Sequence, residues 1–425
     1  MQVYRVPGAV AFLLAALSAM PVLKLGEVQI IELVQVLLLG MLVLAGAYAG
    51  APIPATGFWK EYGPRYLLFL AMCLALGILS LRLTFYAPPG TSFLKQPIVI
   101  SLARIGELFL AMYCTLALAD TFRRDRKLLR RTLDTYWIIG GISAAFSMAS
   151  AVLMKTTGVM LYFVYGDDAR VRGFFNEAGP YGIFLVSVLI VLLLRAHYFP
   201  VGLLWLRRAV FALTLLALYQ SASKAGFLTV IGVCGLVGLF AANVRQRLVV
   251  IVGLVAVAAL TWTTLGPQFI DYWTDYSGFE DAVAARSDDP SLIMGRIVAT
   301  FIVPRMIAEH PLAGIGIGNY SLMRNDPAYL QGLPAVADWD LPGLGLVGSC
   351  AELGIPLTVA LLALLFRPLR QTRGVRAPAI VLTAAAFQPI AAFAGVNLNF
   401  FYPWLMAAAT LALLPDGRDI PKFAD

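Results

Sequence analysis

Three groups of basic residues carry most of the chemistry this chain offers. Arg170 and Arg172 flank Val171 just before the run Gly-Phe-Phe-Asn-Glu-Ala-Gly-Pro, and Glu177 follows five residues after Arg172. In an extended segment both guanidiniums fall on one face. A guanidinium grips phosphate oxygens as a planar fork, so this spacing suits a diphosphate or an acidic sugar. The alternative is a solvated loop in which Asp167 and Asp168 pair with the two arginines. Lys224 stands in QSASKAGF, between two apolar runs, with the hydroxyls of Ser221 and Ser223 beside it. A cation at the head of a helix favours an anion; the plainer reading is an amine snorkelling to lipid headgroups. Arg296 sits among small residues, Gly295 and Ala299, early in a helix-like stretch. It is either an anion ligand or a helix-surface residue. Arg305 is about half a turn out of phase with it and is expected to face solvent.

Acidic residues at membrane depth form a second set. Arg104 and Glu107 are three apart in an apolar run, on one helical face, which suits a buried ion pair. Glu32 and Glu352 lie in other apolar runs, and Glu352 precedes Leu-Gly-Ile-Pro, a sequence that breaks a helix. Asp338 and Asp340 are acids in a long connection, and His310 precedes a proline and has a turn's character. No GxxxxGK[ST], HExxH or GxSxG occurs, and the only histidines are His197 and His310. A nucleotide-driven motor, a histidine metal site and a serine-hydrolase elbow are not expected. Cys73, Cys114, Cys234 and Cys350 lie in apolar runs without metal spacing and read as small buried hydrophobes.

The elements that hold these residues must be membrane helices. Of the 425 residues 60% are hydrophobic and 13% charged, against about 25% charged in soluble domains. With a mean hydropathy of +0.81, this excludes disorder, a nucleic-acid module and an ordinary cytosolic enzyme. About twelve spans of roughly 20 residues are expected: 7–23, 28–50, 65–86, 97–120, 135–157, 180–194, 205–220, 225–243, 248–265, 343–366, 377–395 and 399–415. The first resembles a signal peptide but lacks a clear cleavage site, and reads as a retained span. Alternate connections hold 20 of the 32 Lys and Arg, including Arg123 to Arg131 and Arg367 to Arg376. That bias places both termini in the cytoplasm. Residues 1–425 then form one integral membrane domain, with two external loops, 158–179 and 266–342. The larger loop is helical in its middle, with Asp289-Pro290 as cap and first residue and Pro304 kinking or splitting the helix. A loop that long is usually functional.

Four stretches together resemble a known family. They are Arg170-x-Arg-Gly-Phe-Phe-Asn-Glu-Ala-Gly-Pro; Ser223-Lys224-Ala-Gly; Gly295-Arg296 followed by Glu309-His-Pro-Leu-Ala-Gly-Ile-Gly-Ile-Gly-Asn319-Tyr; and Glu352-Leu-Gly-Ile. In order and spacing, over roughly 165–360, they are similar to the bacterial O-antigen polymerase and O-antigen ligase (Wzy/WaaL-type) superfamily. The resemblance implies an all-α, GT-C-like membrane glycosyltransferase with a large helical periplasmic loop between spans 9 and 10. It implies a cofactor-free, metal-independent, inverting transfer from an undecaprenyl-diphosphate-linked glycan donor at the periplasmic face of the bacterial inner membrane. Polymerases use a second lipid-linked repeat unit as acceptor; ligases use the lipid A core. The position of the ligases' usual histidine is Gly343 here, and the usual arginine of the second stretch is Lys224. With Glu177 resembling the polymerase pattern, the expected activity is polymerisation of repeat units for O-antigen or a related surface polysaccharide, with ligase the nearer alternative and a twelve-span secondary transporter the remoter one. Arg170, Arg172, Lys224 and Arg296 are the expected diphosphate and glycan ligands. Glu177 is the leading base, followed by Asp338 and Asp340. His310, Arg104, Glu107 and Glu352 are expected in structural or secondary roles. The partners are the lipid-linked donor and acceptor, the bilayer and a chain-length regulator, with no nucleic acid.

Overall fold

The computed structural model describes residues 6–25, 28–48, 57–83, 93, 96–165, 170–200, 202, 204–240, 248, 251–253, 255–256, 259, 296–331, 333, 345–374, 379–395 and 398–414. About 81% of these are helical, and the strands among them form two antiparallel two-stranded ribbons. In chain order the elements are α1 (Gly8–Leu17), β1 (Lys24–Leu25), β2 (Val28–Gln29), α2 (Ile30–Tyr48), α3 (Gly57–Leu83), α4 (Pro97–Arg124), α5 (Arg126–Thr157), β3 (Val164–Tyr165), β4 (Arg170–Val171), α6 (Ala178–Tyr198), α7 (Leu204–Gln220) and α8 (Lys224–Phe240). They continue with α9 (Arg296–Glu309), α10 (Tyr320–Met323), α11 (Pro327–Leu330), α12 (Gly345–Leu365), α13 (Arg367–Gly374), α14 (Ala379–Phe393) and α15 (Phe401–Leu413).

Among the described residues six helices are long and apolar enough to cross a membrane, and the chain is an all-α, multi-pass membrane protein. Its helices also show apolar side chains outward. The outer face of a soluble helix is polar, yet Val36, Leu37 and Leu44 on α2 and Leu67, Leu68 and Leu79 on α3 are all exposed. The first expected span is realised as only the ten residues of α1, about 15 Å of helix at 1.5 Å per residue. A ribbon follows it, pairing Lys24 with Gln29. The ninth, 248–265, lies mostly outside the described residues, and Asp289-Pro290, Asp338, Asp340 and Gly343 lie outside them altogether.

The contacts divide the chain into two units. The first comprises Met1–Gly63, Leu110–Leu260 and Leu365–Asp425. Its centre is α6, buried along nearly its whole length and packed on α5, α7, α8, α14 and α15. Small residues make that approach close. A methyl on Gly140 would lie 2.5 Å from Val188, and one on Gly141 would lie 2.8 Å from Val210, the small-residue packing that drives helix association in lipid. Asp125 caps α5, accepting from Leu128 N–H at 2.9 Å, and Gly158 ends the helix at φ 74°.

The second unit comprises Pro64–Phe109 and Thr261–Leu364. Its small core gathers Ile302, Val303 and Met306 of α9 with Ile315, Tyr320 and Tyr329. Pro304 does not split α9: the helix runs on to Glu309 with the proline on its exposed side. Proline is tolerated there because the opposite side of the helix, with Ile302, Val303 and Met306, carries the packing.

Candidate functional site

In the first unit, β3 and β4 pair antiparallel, setting Tyr165 opposite Arg170 and Val164 opposite Val171. The strand ends at Val171, and the two arginines do not share a destination. Arg170 reaches the turn between α7 and α8: its Nε donates to the Ser221 carbonyl and its Nη2 to the Ala222 carbonyl, both at 3.2 Å. These carbonyls close the C-terminus of α7, the negative end of its dipole, so a cation is favoured there. Arg172 folds back instead. Its Nε donates to the Tyr162 carbonyl at 2.6 Å and its Nη1 to the Asn176 carbonyl at 3.1 Å, with the guanidinium 4.4 Å from the centre of the Tyr162 ring. Burial pushes the Tyr162 phenol up from its ordinary value, with Arg172 opposing; the hydroxyl stays protonated and donates to the Phe175 carbonyl. Arg172 thus braces the loop while Arg170 braces the turn.

That turn presents Lys224. Ala222 adopts φ 46°, which reverses the chain in two residues and starts α8 at Lys224. Ser223 caps the new helix: its Oγ accepts from Gly226 N–H at 2.9 Å and donates to the Gly179 carbonyl at 3.1 Å. The second bond ties the head of α8 to the first turn of α6. Gly182 and Gly226 permit the approach, since a methyl on Gly182 would lie 2.3 Å from Ser223. Glu177 is the residue before α6 and makes no capping bond to its own helix. Two helix N-termini, the exposed Lys224, the half-buried Arg170 and the half-buried Glu177 therefore occupy one neighbourhood. Backbone N–H groups and cations at such an end attract an anion, and the carboxylate beside them is the group able to take a proton.

In the second unit the third and fourth stretches are joined. Pro356 has no N–H, so the Glu352 carbonyl loses its helical donor four residues on. Gly316 N–H supplies it at 3.0 Å, Ile315 N–H donates to the Ala351 carbonyl at 2.9 Å, and Ile355 N–H donates to the Pro311 carbonyl at 2.8 Å. The helix is broken at Gly354, whose φ 73° and ψ 168° belong to a region open almost solely to glycine. A methyl on Gly314 would strike the Glu352 carbonyl oxygen at 2.4 Å. Irregular backbone in a membrane span is stable only when other protein groups satisfy it, as the glycine loop does here.

The Glu352 side chain leaves its own helix to serve that loop. It accepts from Tyr320 N–H at 3.1 Å, capping α10, and from Gly318 N–H, and it interacts electrostatically with Arg104. Arg104 also pairs with Glu107 at 2.8 Å, with 44% of its side chain exposed, so the pair is formed but is not the enclosed one expected. Ser80, Ser101 and Asn319 complete the seat: Ser80 Oγ donates to the Gly314 carbonyl at 2.6 Å, Ser101 Oγ to the Ile317 carbonyl at 2.9 Å, and Asn319 Nδ2 to Ser101 Oγ at 3.2 Å. Asn319 belongs to the third stretch, whereas Ser80 and Ser101 do not stand out in the sequence; polar residues isolated in apolar runs are the available signal. The His310 carbonyl accepts from Gly314 N–H at 3.0 Å in the turn after α9. Arg296 is the first residue of α9, with its side chain outside the described set. Arg305 departs from expectation: it is half-buried, and its Nη1 donates to the Tyr329 and Leu330 carbonyls at 2.7 and 3.0 Å. The carbonyls ending α11, which have acceptor capacity to spare, draw it inward.

Among the described residues the four cysteines are unbridged, and no three His, Cys, Asp or Glu side chains stand together as a metal site. No family model and no curated protein matches the chain.

Proposed function

We propose that this chain is a glycosyltransferase of the bacterial inner membrane that polymerises undecaprenyl-diphosphate-linked oligosaccharide repeat units on the periplasmic face. In this reading twelve spans cross the bilayer, both termini are cytoplasmic, and 158–179 and 266–342 lie outside. One observation carries it: Arg170 holds the turn that presents Lys224, while Ser223 ties that turn to the helix begun by Glu177. Cations, helix N-termini and a carboxylate sit together at helix ends, where a lipid diphosphate has its charge.

The reaction is a single displacement. A hydroxyl of the acceptor repeat unit attacks the donor's anomeric carbon, the bond from that carbon to the diphosphate oxygen breaks, and the configuration inverts. Glu177 takes the hydroxyl proton. Lys224 and Arg170 stabilise the charge growing on the departing diphosphate. Arg172 positions the Arg170 strand through Tyr162 and Asn176. Arg296 is a separate candidate for phosphate binding, and Asp338 and Asp340 are the alternative bases.

The test is purified protein given undecaprenyl-diphosphate-linked repeat units alone. Long chains are expected. Product that appears only after lipid A core is added makes the enzyme a ligase, and no product under either condition refutes the assignment. Lys224→Met, Arg296→Ala and Glu177→Gln should each lower turnover at least about 100-fold, the lower end for a general base or a charge-stabilising donor, while folding is kept. Wild-type turnover in Glu177→Gln moves the base to Asp338 or Asp340, and in Lys224→Met or Arg296→Ala removes that cation from the site.

A further inference from the structure

Three helices of the first unit share an end at the Arg170–Lys224 neighbourhood: α5 and α7 finish near it and α6 begins there. Their other ends carry a second charged cluster. Asp134 of α5 accepts from Arg195 Nε at 2.7 Å and from Trp137 Nε1 at 2.9 Å. Arg130 Nε stands 3.8 Å from the same carboxylate, with its side chain 45% exposed. Arg195 is 4% exposed and Arg207 6%. Arg207 uses Nη2 to reach the Pro200 carbonyl at 2.6 Å, but its Nε and Nη1 are buried without a hydrogen-bond partner. Arg195, Asp134 and Arg130 all interact electrostatically with it.

Three guanidiniums thus surround one carboxylate, and two of the three are almost wholly buried. Asp134 balances one of them. A buried cation with unmet donors, as Arg207 is, calls for an anion, and its Nε and Nη1, on different edges of the guanidinium, can each donate to an oxygen of a phosphate group. The 21 residues of α6 rise about 32 Å, matching the roughly 30 Å hydrocarbon core. The cluster and the Arg170–Lys224 end therefore lie at opposite headgroup layers.

We propose that Arg130, Arg195 and Arg207 form a binding site for an anionic phosphate group at the membrane face opposite the Arg170–Lys224 site. An anionic phospholipid headgroup and free phosphate both offer this chemistry. The site does not depend on the glycosyltransferase reading.

The full chain, purified in neutral detergent, is titrated with phosphatidylglycerol, with phosphatidylcholine and with inorganic phosphate. Thermal unfolding and retained lipid in native mass spectrometry are the readouts. Phosphatidylglycerol should bind and raise the unfolding midpoint, and phosphatidylcholine should not. Arg207→Met and Arg130→Ala should each weaken that binding about fivefold, the worth of one interfacial cation. A shift with phosphatidylglycerol alone assigns the site to a lipid headgroup; an equal shift with millimolar phosphate assigns it to the free ion. Equal response to both lipids with no response to phosphate overturns the proposal, as does wild-type affinity in Arg130→Ala, the exposed position that decides the matter if Arg207→Met does not fold.

Discussion

Glu352 is the residue whose replacement best separates support from catalysis. Its carboxylate accepts from the N–H groups of Gly318 and Tyr320, where the glycine loop turns into α10. Glu352→Ala removes that acceptor and leaves two main-chain donors unmet. Hydrogen bonds to a charged group contribute roughly 1.5–3 kcal/mol each. Glu352 is half-buried as a residue; water that reaches the freed amides recovers part of the loss, and about 2–4 kcal/mol is expected in sum. Arg104 keeps Glu107 at 2.8 Å and is not stranded. The loss should be local, because the main-chain bridges from Ile315 to Ala351 and from Ile355 to Pro311 remain. Hydrogen exchange reads it directly. At about 1.4 kcal/mol per factor of ten, the Gly318 and Tyr320 amides should exchange roughly 30-fold to several hundred-fold faster. Glu352→Gln keeps an acceptor oxygen and should show about half the effect in free energy. Exchange at wild-type rates in Glu352→Ala would falsify the capping role. So would unchanged exchange with lost turnover, which would instead place the carboxylate among the reacting groups.

Gly182→Ala should lower the thermal unfolding midpoint of the whole chain, because the added methyl lies 2.3 Å from Ser223 and overpacking costs about 1–3 kcal/mol; an unchanged midpoint would show that α6 and α8 have slack where they meet. Arg305→Met should destabilise the α9–α11 region by about 1–3 kcal/mol, since it abandons two carbonyl acceptors at 2.7 and 3.0 Å. Faster exchange of the Gln331 and Leu333 amides is the check, and a silent variant would return Arg305 to the surface.

How much of this is legible in the sequence depends on the range of the interaction. Helix positions are readable because an apolar run long enough to span a bilayer has few other stable forms. The break before Pro356 is readable too, because a proline removes a specific donor and the preceding glycine permits the turn. What takes over the orphaned carbonyl is not readable: Gly316 lies 36 residues upstream of Glu352, and nothing local encodes that pairing. The same limit explains the arginines. An extended segment does put Arg170 and Arg172 on one face, but a guanidinium on a long side chain goes to the nearest concentration of unmet carbonyls. For Arg170 that is the end of α7, 51 residues away, and for Arg172 it is the loop's own Tyr162 and Asn176. Arg305 departs from its helical phase for the same reason, since phase says where a Cβ points and not which helix end lies within its reach. Sequence spacing therefore locates the basic residues of this membrane protein, while the chain's own broken and capped helix ends decide which of them brace the backbone. At the α7–α8 turn both outcomes meet: Arg170 braces the carbonyls that end one helix, and in doing so sets Lys224 at the exposed head of the next.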